Sequence, residues 1–370
     1  MPPSPKLVTH LESIVYGDRR DPSANAVRGG LRFLSGVYRI GIAAYLLPFN
    51  IGLRRRFRLR RPVVSVGNLT VGGTGKTTVV RYLCRGFAAL HAKPAILSYG
   101  YGGELGGKFG VVCDGSGPKM PPAIAGDEPV MLASSLPNVP IIVCKDRCRS
   151  GKTAVREFRA DVVILDDGLQ VWKLHRDFDV VLVNAENPFD NRWTLPAGKL
   201  RERAEAIRRA DCVIATCTDP SNDYKDQLEL VRRISHAPVF LGWFKPSELR
   251  AIGSNISIKP TDIRGRKVMA LSSIANPHSF ESTLGSLGAD IRNVYRMPDH
   301  HMYTLEDVRR ISETADKAMV EMIVTTEKDA VKLLDHHFSV PIFALRIDMQ
   351  LTDEEVFWNH ALRCLGMCAK

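Results

Sequence analysis

Short unbroken apolar runs, rather than alternating ones, recur along this chain. Residues 95–97, 141–143, 162–165, 180–183 and 213–215 form such runs, separated by helix-length segments. A strand buried on both faces of a parallel sheet reads this way, so the pattern predicts an α/β fold with a doubly wound, mostly parallel sheet. Further runs follow Pro260, at 268–271, 322–324 and 342–345, and predict a second, smaller α/β domain. The stretch around 239–244 and the polar residues 254–266 read as the connection. The expected boundaries are 1–61 for an N-terminal arm, 62–240 for the larger domain, 241–266 for a linker and 267–370 for the smaller domain.

One apolar stretch does not fit the strand pattern. Residues 31–53 (LRFLSGVYRIGIAAYLLPFNIGL) are apolar and aromatic over helix length and run into six arginines between Arg54 and Arg61. A membrane span needs about 20 mostly apolar residues, and this stretch is interrupted by Arg32, Arg39 and Pro48. Arg28, Arg32 and Arg39 fall at i, i+4 and i+11, on one helical face, with Phe33, Leu34, Val37, Tyr38 and Tyr45 largely elsewhere on the wheel. That arrangement suits a helix at the boundary of headgroups and acyl chains, whether it lies on the membrane or crosses it. Charge sharpens the picture. Residues 1–61 hold twelve Lys or Arg against three acids, a net +9 of the chain's +11. A basic arm on a nearly neutral body points to an anionic membrane surface rather than to nucleic acid, whose enzymes spread basic charge over the catalytic domain. The eight cysteines include no CxxC pair and read as reduced core thiols, which argues against a structural zinc site.

The candidate chemistry begins where the arm ends. Residues 62–67 (PVVSVG) read as a buried strand, followed by NLTVGGTGKTT and an amphipathic helical pattern. Strand, glycine-rich loop, Gly-Lys-Thr and helix is the context of a P-loop. Thr70, Val71, Gly72, Gly73, Thr74, Gly75, Lys76 and Thr77 are the expected ATP-binding residues. The backbone N–H groups would turn onto the phosphates, Lys76 would reach the β- and γ-phosphates, and the Thr77 hydroxyl would ligate Mg²⁺. Thr70 stands where the usual motif has its first glycine. A second strand, VVIL at 162–165, ends in Asp166 and Asp167, at the carboxyl edge where open α/β sheets bind ligands. Both are expected at the metal.

Four further clusters separate the P-loop classes: AGDEP at 125–129, PAGKLRE at 196–202, PDHH at 298–301 and TTEKD at 325–329. With GNLTVGGTGKT and DDG-x-Q, in this order from Gly67 to Asp329, the chain closely resembles the tetraacyldisaccharide 4′-kinases of lipid A biosynthesis. The resemblance implies transfer of the ATP γ-phosphoryl group to the 4′-hydroxyl of a tetraacylated glucosamine disaccharide 1-phosphate. It also implies a site in the cleft between a P-loop domain and a smaller one, at the cytoplasmic face of the bacterial inner membrane. No obligate protein partner is expected. Asp127 matches the family's base and His300 the histidine paired with it; Asp166 and Asp167 match carboxylates linked to Mg²⁺. Arg147, Gln170, Arg201 and Glu202 match polar residues near phosphate or sugar.

Alternatives stand beside these roles. Asp127 also suits a helix N-cap before Pro129, His301 rivals His300, and TTEKD reads equally as a strand-to-helix turn. Tyr99, Thr78, Val171 and Arg203 depart from the family pattern, so the roles of the residues they replace are not carried over. The rival class is a membrane-associated ATPase switch of the MinD/ParA type, but Val71 stands where its signature lysine belongs.

Overall fold

The computed structural model of the chain describes residues 14–15, 21–217, 219–254 and 256–367. The remainder of the N-terminal arm at 1–13 and 16–20, and Cys368, lie outside the described residues.

The larger half is built on β1 (Val63–Asn68), β2 (Pro94–Ser98), β3 (Gly110–Cys113), β4 (Ile141–Val143), β5 (Val162–Asp166), β6 (Phe178–Asn184) and β7 (Cys212–Cys217). Then come β8 (Val239–Ala251), β9 (Ser257–Ile258), β10 (Lys267–Ser272), β11 (Asp290–Arg296), β12 (Met322–Thr326) and β13 (Ile342–Leu351). They form one continuous sheet in the order β11-β10-β12-β13-β8-β7-β6-β1-β5-β2-β4-β3, with β9 on β8. Only β13 with β8, β8 with β9 and β3 with β4 run antiparallel among the described residues. All six residues of β1 are buried, and the strand sits between β5 and β6 at the point where the strand order reverses. That is where a parallel sheet opens a crevice at its carboxyl edge.

Each expected run is a strand. The strands without such a run are β3 and β11, each at an end of the strand order, and the two-residue β9, which lies off it on β8. β11 is half exposed along its length, so it carries no continuous apolar signal. The stretch expected to connect the two halves begins as strand: β8 pairs in parallel with β7 through 239–243 and antiparallel with β13 through 242–251. This two-stranded passage joins the halves. The chain also returns after β13. In the helix Glu354–Cys364, Phe357 is fully buried against Phe178, Phe240 and Trp358, and Trp358 meets Phe87 edge-on at 5.3 Å. The last helix therefore packs in the core of the first half.

The N-terminal helix runs from Pro22 to Asn50, earlier than the expected start, because Asp21 caps it by accepting from the Ala24 N–H at 2.9 Å. Its inner face is narrow. Ala24, Ser35, Leu46 and Phe49 are buried, Ser35 Oγ lies 2.6 Å from Thr194 Oγ1, and Phe49 packs on Trp172. Tyr38, expected on the apolar side, instead donates its hydroxyl to the Arg201 carbonyl. Two arginines of the basic face also have partners in the protein: Arg28 donates to the Ile14 carbonyl and Arg32 lies over the Trp193 ring. Outward point Phe33 (72% exposed), Ile40 (71%), Leu34, Val37 and Leu47. A water-facing helix carries the opposite pattern. No helix among the described residues is long and apolar enough to cross a membrane.

Phe357→Ala should destabilise the protein by about 3–5 kcal/mol, the cost of an aromatic cavity in a closed core. A urea titration should show the lower midpoint, in the transition that reports the P-loop half.

Candidate active site

β1 delivers its chain to the loop 69–75 and then to the helix Lys76–Ala89. Gly75 is the N-cap, with φ +76°, and a Cβ there would lie 2.0 Å from the Phe244 ring, so both conformation and space demand glycine. The first-turn N–H groups of that helix, with its dipole, face the loop and make an anion site. Asn68 organises the loop from below: its Nδ2 donates to Thr74 Oγ1 at 3.0 Å, and its Oδ1 accepts from Lys76 Nζ at 3.2 Å. The Val71 N–H donates to the Lys199 carbonyl at 2.8 Å, tying the loop to the 196–202 segment.

The end of β5 closes the other side. Asp166 is buried and accepts from Ser98 Oγ at 3.1 Å; burial, with the charges of Glu128 and Asp167, pushes its carboxyl up to about 7 against the pull of Lys76. A cluster of crowded negative charge beside a phosphate site is chemically suited to a divalent cation. Asp167, in the left-handed region at φ +54°, faces Lys76 Nζ at 3.8 Å and accepts from Arg201 at 2.8 and 3.0 Å. Gln170 joins Arg201 (3.3 Å) to Glu202 (3.2 Å), and Arg209 holds both oxygens of the buried Glu202 at 2.7 and 3.0 Å. Lys76, Asp167, Gln170, Arg201 and Glu202 are thus one network. Arg147 stands apart from it in a buried position, donating to the Cys144 carbonyl and lying over the Tyr99 ring, with its Nε unpartnered. Burial lowers its pKa, opposed by the charge of Asp166.

The third group comes from both halves. Asp127 is the first residue of the helix Asp127–Ser135, whose N-cap is Gly126, so Asp127 is not itself the cap. Gly126 has φ +92°, and a Cβ there would strike the Tyr101 carbonyl at 2.4 Å. Asp127 Oδ1 accepts its neighbour's N–H, and Oδ2 meets His300 Nδ1 at 2.9 Å. His301 pairs with Asp307 instead, so the structure separates the two histidines. Burial pulls the Asp127 carboxyl upward, but the hydrogen bond to His300 and the charges of Lys328 and His300 outweigh it and leave the pKa below the usual value. The same hydrogen bond raises His300.

Sequence reading overlooked three participants. Glu128, next to Asp127, is held above its ordinary pKa by burial and lies within electrostatic reach of Lys76. Lys328 Nζ sits 3.0 Å from Asp299, 3.3 Å from His300 Nε2 and 3.7 Å from Asp127 Oδ2. Arg81, on the P-loop helix, donates to both oxygens of Glu327 at 2.8 Å and to the Ile347 carbonyl. The signals for them in the sequence are the second acid of GDEP and the charges of TTEKD, a segment that reads equally as a strand-to-helix turn. A cavity of about 400 Å³ lies toward the other end of the Asp127 helix, lined by Met131, Ser134, Glu248, Arg250, Val331 and Arg346. None of its lining residues belongs to the P-loop.

A P-loop facing paired carboxylates, with a carboxylate–imidazole pair whose neighbour Glu128 lies within electrostatic reach of Lys76, fits a phosphotransferase with an alcohol acceptor. A family model described as tetraacyldisaccharide-1-P 4′-kinase (LpxK) matches residues 28–365, and the chain belongs to this family. It is 38% identical over 361 residues to the tetraacyldisaccharide 4′-kinase of Syntrophus aciditrophicus, covering 94% of this chain and 96% of that protein. To the enzyme of that name from Geobacter sulfurreducens it is 36% identical, covering 92% and 94%. The crystal structure of LpxK from Aquifex aeolicus in complex with ATP superposes with a TM-score of 0.75 at 30% identity, over 92% of this chain and 99% of that one. The fold is that of a P-loop kinase, and the family function is lipid A 4′-kinase activity; the switch-ATPase alternative is not favoured.

Gly75→Ala should abolish measurable ATP binding in calorimetry, because the loop must either clash with Phe244 or leave its left-handed turn. Far-ultraviolet circular dichroism should stay that of the parent.

Proposed function

We propose that the chain transfers the γ-phosphoryl group of ATP to the 4′-hydroxyl of a tetraacylated glucosamine disaccharide 1-phosphate, at a membrane surface. The carrying observation is the 2.9 Å contact between Asp127 and His300, which joins the two halves of the chain beside the P-loop edge. In this reading the amides from Thr70 to Thr77 and the Lys76 ammonium hold the triphosphate. Thr77, Asp166 and Asp167 would hold Mg²⁺, which when bound neutralises charge between the β- and γ-phosphates. Asp127 accepts the 4′-hydroxyl proton as the O4′–phosphorus bond forms and the bond to the β-phosphate oxygen breaks, releasing ADP. His300 orients that carboxylate through Nδ1. Arg201, Gln170 and Glu202, linked to Asp167, face the acceptor, and Arg147 supplies a guanidinium fork for phosphate.

Two working lobes are proposed, 62–240 together with the returning helix Glu354–Cys364, and 267–351, with the β8–β13 passage as their joint. The outward apolar residues of the helix Pro22–Asn50 support peripheral or monotopic binding at the cytoplasmic face of the bacterial inner membrane. Partial immersion would bury the side chains that water now meets, with the arginines from Arg54 onward near anionic headgroups.

Incubation with ATP, Mg²⁺ and the disaccharide 1-phosphate should yield a lipid heavier by one phosphoryl group in mass analysis. An ATPase that turns over equally without lipid would overturn the kinase reading. Asp127→Asn should lower kcat by about 10²- to 10⁴-fold with ATP affinity retained; an unchanged rate would remove the base. Replacing Phe33 and Ile40 together by Asp should weaken binding to anionic vesicles by about a hundredfold or more in co-sedimentation, the worth of two buried apolar side chains.

A further inference from the structure

The short helix Glu327–Ala330 carries three consecutive charged residues, and each has a different destination. Glu327 receives both hydrogen bonds from Arg81 of the P-loop helix. Asp329 is fully buried, accepts from the Ser273 N–H at 2.9 Å and Thr326 Oγ1 at 2.8 Å, and pairs with the buried Lys332 at 2.7 Å. Lys328, between two anchored neighbours, is aimed at the Asp127–His300 pair. Its side chain is only 17% exposed.

We propose that Lys328 is a positioning residue for the phosphoryl transfer, fixing the tautomer and charge of the Asp127–His300 pair so that Asp127 stands ready as a carboxylate. An ammonium has three donors and no acceptor. At 3.3 Å it can bond His300 Nε2 only if that nitrogen carries a lone pair, so the ring proton sits on Nδ1. Nδ1 then donates to Asp127 Oδ2; that bond favours a second proton on the ring, and the neutral imidazole is what the ammonium has to maintain. The same ammonium, 3.7 Å from Oδ2, stabilises the ionised carboxylate and opposes a second proton on His300. The charged groups facing the pair are Glu128 from the Asp127 helix, Asp299 from the 298–301 loop, and Lys328 and Lys332 from the smaller half. Lys328 alone among them is within 4 Å of both members. Asp299, at 3.0 Å, holds the ammonium in place from the other side.

This inference rests on Asp127 being the base. Its test is the pH dependence of kcat/KM in full-length Lys328→Met and Lys328→Arg, each first checked for parental ATP affinity and melting temperature. Losing a cation within 4 Å raises a carboxyl pKa by about one unit or more. The acid limb of Lys328→Met should therefore move to higher pH by at least about one unit, with activity recovering toward the parent as pH rises. Lys328→Arg should restore most of the parental limb. A uniform loss at every pH with the limb unmoved would overturn the proposal, as would a loss confined to KM for ATP or lipid, which would make Lys328 a phosphate ligand. If Asp127→Asn retains activity, the base assignment fails; if it is inactive and the Lys328→Met limb stays put, only the role of Lys328 falls.

Discussion

Arg81 lies five residues beyond Lys76 on the same helix and is 2% exposed. A guanidinium taken out of water costs several kcal/mol unless its charge and donors are met. Here the charge and the terminal nitrogens are met from the other half of the chain, by both oxygens of Glu327, by the Ile347 carbonyl and by Asp348 at 3.4 Å, while Nε has no partner. Separating the halves would strand that charge. The pair therefore does more than hold two lobes together, because Glu327 begins the helix that also presents Lys328. The P-loop helix and the segment that carries Lys328 are registered against one another through this pair, as Asp127 and His300 are through theirs.

Opposed charges then organise the cleft. Asp166, Asp167 and Glu128 crowd negative charge at the sheet edge, and Lys76 and Arg201 partly offset it. Asp127 is treated differently from its neighbours. Asp166 and Glu128 are raised by burial, whereas Asp127 is lowered because an imidazole and an ammonium face it. Carboxylates close together thus acquire distinct tasks from their surroundings rather than from their identity.

The helix Pro22–Asn50 fits the same design. Its anchored side touches Thr194 and the Arg201 carbonyl, next to the polar network of the site, while its apolar side faces outward. A lipid acceptor has its sugar hydroxyl at the headgroup and its acyl chains in the bilayer. An enzyme acting on it must bring the cleft to the interface rather than draw the lipid into water.

Much of this was legible in the chain itself. Continuous apolar runs mark strands buried on both faces, and a glycine-rich turn between strand and helix marks a phosphate cradle, since both depend on residues adjacent in sequence. Edge strands such as β11 escaped because one side meets solvent. The 239–251 segment reads as a connection because only pairing with β13 reveals it as a strand joining both halves. Asp127 and His300 are 173 positions apart, and Arg81 and Glu327 are 246 apart. Sequence named the kinds of groups present, down to two adjacent histidines. Which histidine meets the carboxylate, which way the arginines of the first helix turn, and that Lys328 joins the pair were decided by packing, because electrostatic partners are chosen by distance in space, and only the folded sheet sets that distance.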